Sequence, residues 1–345
     1  MAVAAQVRQP QAKKTKPFPE AGEFTRITDP VTENVIVRLT ALASSSVLPL
    51  ARNRFVSARE RVLVFSSDRG GHFSPFVIDL RTGAIRQLAD TAKLNPRSLC
   101  FDKQEKAVRY LAGESLFEVG LSRGSAKKLG DGYTAFSSAA DGSFFLISEK
   151  KLIHKEGSNV QVLAEAVNDL WPQPNSLGCL FARAIGPDER ELYYVPLNEG
   201  GAKPLLVASG RLREPYWDAD GESILFLRDV AAPSGAILAE IHGKSVRSGS
   251  SESLVSPTSQ FACFAPNSDA TVFVGASRSR AQPNVMLMLR SPHREMTLCE
   301  HRSSHPGEVS PVFSPDNRRV YFESDHEGKS AIYSVNVELL IEPPG

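Results

Sequence analysis

The chain has 345 residues, with 40 Lys and Arg against 39 Asp and Glu, for a formal net charge of +1. That balance excludes any global attraction to nucleic acid or to an anionic membrane. Its 41% hydrophobic and 23% charged content is that of a globular protein with ample core, and no segment approaches the apolar length of a membrane span.

Residues 1–20 carry Lys, Gln and Pro with few apolar residues and read as a disordered tail. They contain no apolar run of the length a secretory leader needs. The four cysteines, Cys100, Cys179, Cys263 and Cys299, lie far apart and form no C-x-x-C pair. They read as buried free thiols of a reducing compartment, which places the protein in the cytoplasm.

From residue 21 to 345 one unit recurs about every 45 residues, the scale of a propeller blade. A short apolar strand precedes a turn of Asp-Gly or Pro-Asp type, and a strongly apolar strand and further strands follow. In chain order the unit appears at 61–67, 75–80 and 84–88, and again at 99–101, 107–111 and 115–119. It recurs at 136–138, 144–148 and 151–154, and at 177–182 and 191–195. Further copies occupy 215–218, 223–227 and 236–240, then 261–264, 271–276 and 284–289, and finally 309–313, 319–324 and 331–335. These strands are rich in Val, Ile, Phe and Tyr, and no long 3.6-residue apolar period interrupts them. The pattern predicts an all-β, seven-bladed β-propeller. The last unit lacks a fourth strand, and 34–39 (Asn-Val-Ile-Val-Arg-Leu) is a spare strand. We expect this N-terminal strand to complete the last blade and close the ring.

No G-x-S-x-G elbow, P-loop or G-x-G-x-x-G occurs, and basic residues are not striped with aromatics as in a nucleic-acid groove. Of seven histidines, His154 and His242 read as solvated, and His72 and His326 as structural or solvated. His301 and His305, in Glu300-His301-Arg302-Ser303-Ser304-His305-Pro306-Gly307-Glu308, lead into the innermost strand of the last blade. Imidazole and carboxylate together there can hold a divalent ion such as Mn²⁺.

The C-terminal unit resembles the oligogalacturonate lyase family. The matching residues are Leu298-Cys299-Glu300-His301, Pro311-Val312-Phe313, Pro315-Asp316, Val320 to Asp325 with Gly328, and Ala331-Ile332-Tyr333. Asp29-Pro30-Val31-Thr32 and Val37-Arg38-Leu39-Thr40 resemble the family's opening. The resemblance implies a cytoplasmic TolB/WD40-like propeller that cleaves short galacturonate oligomers by Mn²⁺-assisted β-elimination. Carried over by position, the family's paired histidines fall on Glu308 and Ser310, and its metal glutamine falls on His305. Its histidine in the preceding blade falls on Gln260, and its base falls on Glu214. Gln260, His305 and Glu308 are thus the expected metal set, Glu214 the expected catalytic group, and Arg213, His301 and Arg302 the expected substrate contacts. Arg213 beside Glu214 should lower the carboxyl's pKa. Because no family histidine is retained, the alternative is a non-catalytic scaffold that binds an anionic oligosaccharide or a protein partner at its channel face.

Overall fold

The computed structural model describes residues 22–340 except 123, 198–202, 248, 259 and 339. The expected disordered tail, 1–20, lies outside the described residues. Seven antiparallel sheets follow one another along the chain. Their innermost strands are Ser46–Val47, Cys100–Phe101, Ala135–Ser138, Asp169–Pro172, Leu212–Trp217, Phe261–Pro266 and Val312–Phe313, one for each of blades 1 to 7. The inner strands of blades 2 and 3, 3 and 4, 5 and 6, and 6 and 7 touch one another, as in the β-propeller arrangement. The 3₁₀ turn Pro306–Glu308 is the single helical element among the described residues.

Blade 7 has five strands. Val35–Arg38 lies beside Ala331–Asn336, with Ile36 opposite Val335 and Arg38 opposite Tyr333. Thr25–Thr28 adds one more strand outside it. The Asp29-Pro30-Val31-Thr32 turn anchors this arm. The Asp29 carboxylate accepts bonds from the amides of Val31 and Thr32 and, 2.9 Å away, from that of Glu300 in blade 6. Thr32 Oγ1 and Asn34 Nδ2 both donate to the Leu298 carbonyl.

A single turn type joins first to second strand in every blade. It starts at Ser57, Asp102, Ala139, Gln173, Asp218, Asn267 and Ser314, and each of these carbonyls accepts the amide three residues on. That third residue is left-handed in all seven turns: Glu60, Glu105, Gly142, Ser176, Gly221, Ala270 and Asn317. Ser57, Asp102, Asn267 and Ser314 also accept the amide five residues ahead through their side-chain oxygens, the local bonding for which Ser, Asn and Asp are favoured in turns. Two of the seven left-handed positions are glycine, so the repeat is faint in sequence although uniform in backbone.

The core lies between blades. Phe145, Ile147, Leu170 and Phe181 join blades 3 and 4; Trp171, Leu180, Leu212 and Phe226 join blades 4 and 5. Each blade covers one face of the next, at roughly 25 cal/mol per Å² of apolar surface removed from water. All four cysteines are free and buried. His154, read from the sequence as solvated, is buried and bonds Ser143 Oγ at 3.0 Å. Strand alternation points its ring inward, and the Ser143 hydroxyl satisfies it there.

Candidate functional site

The inner strand of blade 1 does not run straight. Val47 pairs with Ser66, yet Val56 bridges to Leu63. Nine steps on one strand thus face three on the other, leaving six residues over. This surplus, within residues 48–54, turns into the channel. Leu48 donates its amide to Glu323 of blade 7 at 2.9 Å, and Leu50 donates to the Arg97 carbonyl ahead of blade 2 at 3.0 Å. Asn53 Nδ2 donates to the Leu99 carbonyl at 3.2 Å, and Asn53 Oδ1 accepts Ser137 Oγ of blade 3. Arg52 reaches blade 4, where its Nη2 is 2.7 Å from Asp169 Oδ1 and its guanidinium lies 5.1 Å from the Trp171 ring centre.

Between this turn and blades 4 and 5 is a cavity of about 100 Å³, lined by Leu50, Ala51, Arg52, Asp169, Trp171, Arg190, Glu214, Pro215 and Tyr216. Glu214 sits on a bulge. Arg213 pairs with Leu227 and Tyr216 with Leu225, so one extra residue is carried between them. Glu214 has φ of 49° and precedes a proline, a backbone combination that costs on the order of 1–3 kcal/mol. Glu214 is thus a cavity-lining carboxylate on a strained stretch of backbone. Burial raises the Glu214 pKa, opposed by the charges of Arg213, Arg190 and Arg52 and reinforced by Asp169. The expected lowering by Arg213 is therefore corrected. Loss of water outweighs the cation, because the Arg213 guanidinium is already spent on Asp229 Oδ1 at 2.7 Å and on the Ala262 carbonyl. Arg213 braces blades 5 and 6, with Arg278 sharing the same Asp229 oxygen.

The other expected site residues lie apart from this cavity. Gln260 Oε1 accepts Ser277 Oγ at 3.1 Å. His301 is fully buried. Its Nδ1 accepts the Ser303 amide at 3.0 Å, so Nε2 carries the hydrogen and donates to the Ser277 carbonyl at 3.1 Å. Its ring is engaged by the protein itself, and burial lowers its pKa. Arg302 is exposed and pairs with Glu300. The His305 side chain is 68% exposed, with Nδ1 directed to Ser304 Oγ at 2.8 Å and Asp325 at 3.5 Å. Glu308 is exposed at the end of the 3₁₀ turn, within electrostatic reach of Arg97 and Glu323. Among the described residues no group of three or more His, Cys, Asp or Glu is placed to hold a metal ion. Gln260, His305 and Glu308 do not form a Mn²⁺ site: Gln260 Oε1 accepts Ser277 Oγ, His305 Nδ1 is turned to Ser304 and Asp325, and Glu308 is exposed with no such group around it.

Sequence reasoning reached Glu214 but missed Arg52, Asp169, Trp171 and Arg190. Pro49 inside an otherwise strand-like run was the available signal for the channel turn.

No family model and no curated protein matches the chain. Solved structures do. An oligogalacturonate lyase from Vibrio parahaemolyticus superposes with a TM-score of 0.79 at 18% identity, covering 93% of this chain and 98% of that one. An oligogalacturonate lyase in complex with manganese superposes at 0.77 and 16% identity, covering 91% and 96%. The fold is therefore that of these seven-bladed propellers along nearly its whole length, while the identity leaves the chemistry to the site itself.

Proposed function

We propose that the protein takes the acidic end of a short uronate oligosaccharide into the channel cavity, with Glu214 as the proton acceptor of a β-elimination. One observation carries this reading. Glu214 is a carboxylate with a raised pKa, held on a strained bulge in a cavity where arginines surround it. A base tuned upward toward neutral pH suits removal of the proton α to a carboxylate. In the step, the C5–H bond breaks and its proton passes to Glu214. The C4–C5 double bond forms as the C4–O bond breaks, and the departing oxygen takes a proton from solvent. Guanidinium groups beside the reacting carbon meet the charge that builds on the uronate carboxylate. No metal enters this scheme, since the residues carried over from the resemblance do not form a site for one. The four buried thiols support a cytoplasmic, reducing setting.

The replaced histidines favour a second reading, in which the same cavity binds the sugar or a protein partner without turnover. Digalacturonate separates the two. Binding by calorimetry with growth of the ultraviolet absorbance of an unsaturated product, lost in Glu214→Gln and indifferent to Mn²⁺, supports elimination. Binding without product leaves the scaffold reading. Absence of both overturns the sugar assignment.

A further inference from the structure

Among the described residues Arg38, Arg52 and Arg213 each keep a buried Nε–H without a hydrogen-bond partner, and of these three Arg52 lines the cavity. Its side chain is 11% exposed, and its one charged partner is Asp169. The buried Nε–H has no hydrogen-bond partner. A guanidinium offers five N–H donors, and buried polar groups in folded proteins are nearly always matched by acceptors. Arg52 lines the cavity beside Asp169 and Trp171. The guanidinium carbon lies 5.1 Å from the Trp171 ring centre, and the planar fork of an arginine can meet a carboxylate through two parallel bonds.

The turn that carries Arg52 has a second consequence. It is tied to blade 7 through Leu48, to blade 2 through Leu50 and to blade 3 through Asn53, and it reaches blade 4 through Arg52. A segment so anchored crosses the channel and bars a polymer from threading it. The space left, about 100 Å³, is well under the roughly 300–1,000 Å³ of pockets that enclose drug-sized ligands. It admits one carboxylated end and not the interior of a chain.

We infer that Arg52, on the six-residue insertion of blade 1, is the specificity residue that anchors the terminal carboxylate of a uronate oligosaccharide and restricts the protein to chain ends. This assignment rests on the uronate reading above. Asp169 is its internal rival: it occupies Nη2 in the free protein and balances the charge until the ligand arrives.

Calorimetric titration with mono-, di-, tri- and tetragalacturonate, and with neutral galactobiose, tests it. The unmodified protein should bind digalacturonate, gain little from further residues and ignore galactobiose. Arg52→Met, which keeps an unbranched apolar stem and removes the charge, should weaken digalacturonate at least tenfold, with Arg52→Lys intermediate. Asp169→Asn leaves Arg52 in place and should tighten binding several-fold, a readout that stands even if Arg52→Met folds poorly. Unchanged affinity in a folded Arg52→Met, no tightening in Asp169→Asn, or affinity that climbs with each added residue overturns the inference and leaves the uronate reading intact. If the unmodified protein binds no uronate, that reading falls and takes this one with it.

Discussion

Glu323 is a buried carboxylate and Glu214 a half-buried one near the same channel, and the protein treats them differently. Burial pushes both pKa values up, that of Glu323 to about 7. Glu323 recovers the loss of water through bonds: Arg97 Nη1 at 2.7 Å, Arg97 Nη2 at 3.4 Å and the Leu48 amide at 2.9 Å. Those bonds tie blade 7 to the blade 1 insertion and to the entrance of blade 2. Glu214 has arginines within electrostatic reach and is held on a bulge at positive φ. One carboxylate works for the fold. The other is kept at the fold's expense, the pattern expected where a site is held ready for a ligand.

The contrast is sharpest in stability. Glu323→Ala removes both bonds to the half-buried Arg97 and the acceptor of the Leu48 amide, and we expect a loss of about 3 kcal/mol, read from urea or thermal melts. A loss below about 1 kcal/mol would mean that the pair is solvated and the comparison fails. His301→Ala, which removes a buried ring with two bonds, should cost on the order of 2 kcal/mol without altering sugar binding. A change in sugar affinity at unchanged stability would return His301 to the ligand.

Acidity probes the same pair. The folded protein holds the Glu323 proton up to about pH 7, whereas the unfolded chain releases it near 4.5. This raised value adds stability as pH falls through 7 toward 4.5 and removes it as pH rises. Glu60, also pushed up to about 7 by burial and by Asp316, acts in the same direction. Melting temperature should therefore be higher at pH 5.5 than at pH 8 for these groups, and Glu323→Gln should flatten the slope. An unaltered slope in that variant would show that Glu323 is ionised throughout.

Glu214→Gln should abolish any elimination, yet leave stability unchanged or raise it by up to about 1 kcal/mol, since an amide is cheaper to bury than a poorly compensated charge. Destabilisation would place Glu214 with Glu323 among the structural groups. Smallest of all, Arg302→Ala should stay within about 0.5 kcal/mol and leave uronate affinity as it was, because Arg302 pairs with Glu300 on an exposed turn.

How legible the fold was depended on burial. The second strands, such as Val62–Ser67, Val272–Ser277 and Arg319–Ser324, are buried almost throughout and read clearly as apolar runs. The outer strand Asn159–Ala164 is exposed at its first four positions, and Lys127–Gly130 is mostly polar. The Asn-Val-Gln-Val alternation of the first is brief and marks no buried face, and the second is too short for a period, since an edge strand has one partner and no covering layer. Ser46–Val47 is too short to see, and Thr25–Thr28 alternates half-buried with exposed residues.

By itself the sequence determined the number and kind of the blades. Each blade is a local object, made of strands and a turn whose Ser, Asp, Asn or Gly sits at a set distance from its apolar neighbours, and local chemistry is written in local order. The resemblance also located Glu214. Tertiary structure alone assembled the candidate site. Arg52 and Asp169 meet across the channel only because an insertion in blade 1 crosses to blade 4, and nothing in either local stretch encodes the other. Whether Glu214 is acidic or not was decided the same way. Its neighbour Arg213 predicts a low pKa, and the raised value follows from the burial that closing the ring imposes, since solvent exclusion belongs to the assembled channel and not to any one segment of chain.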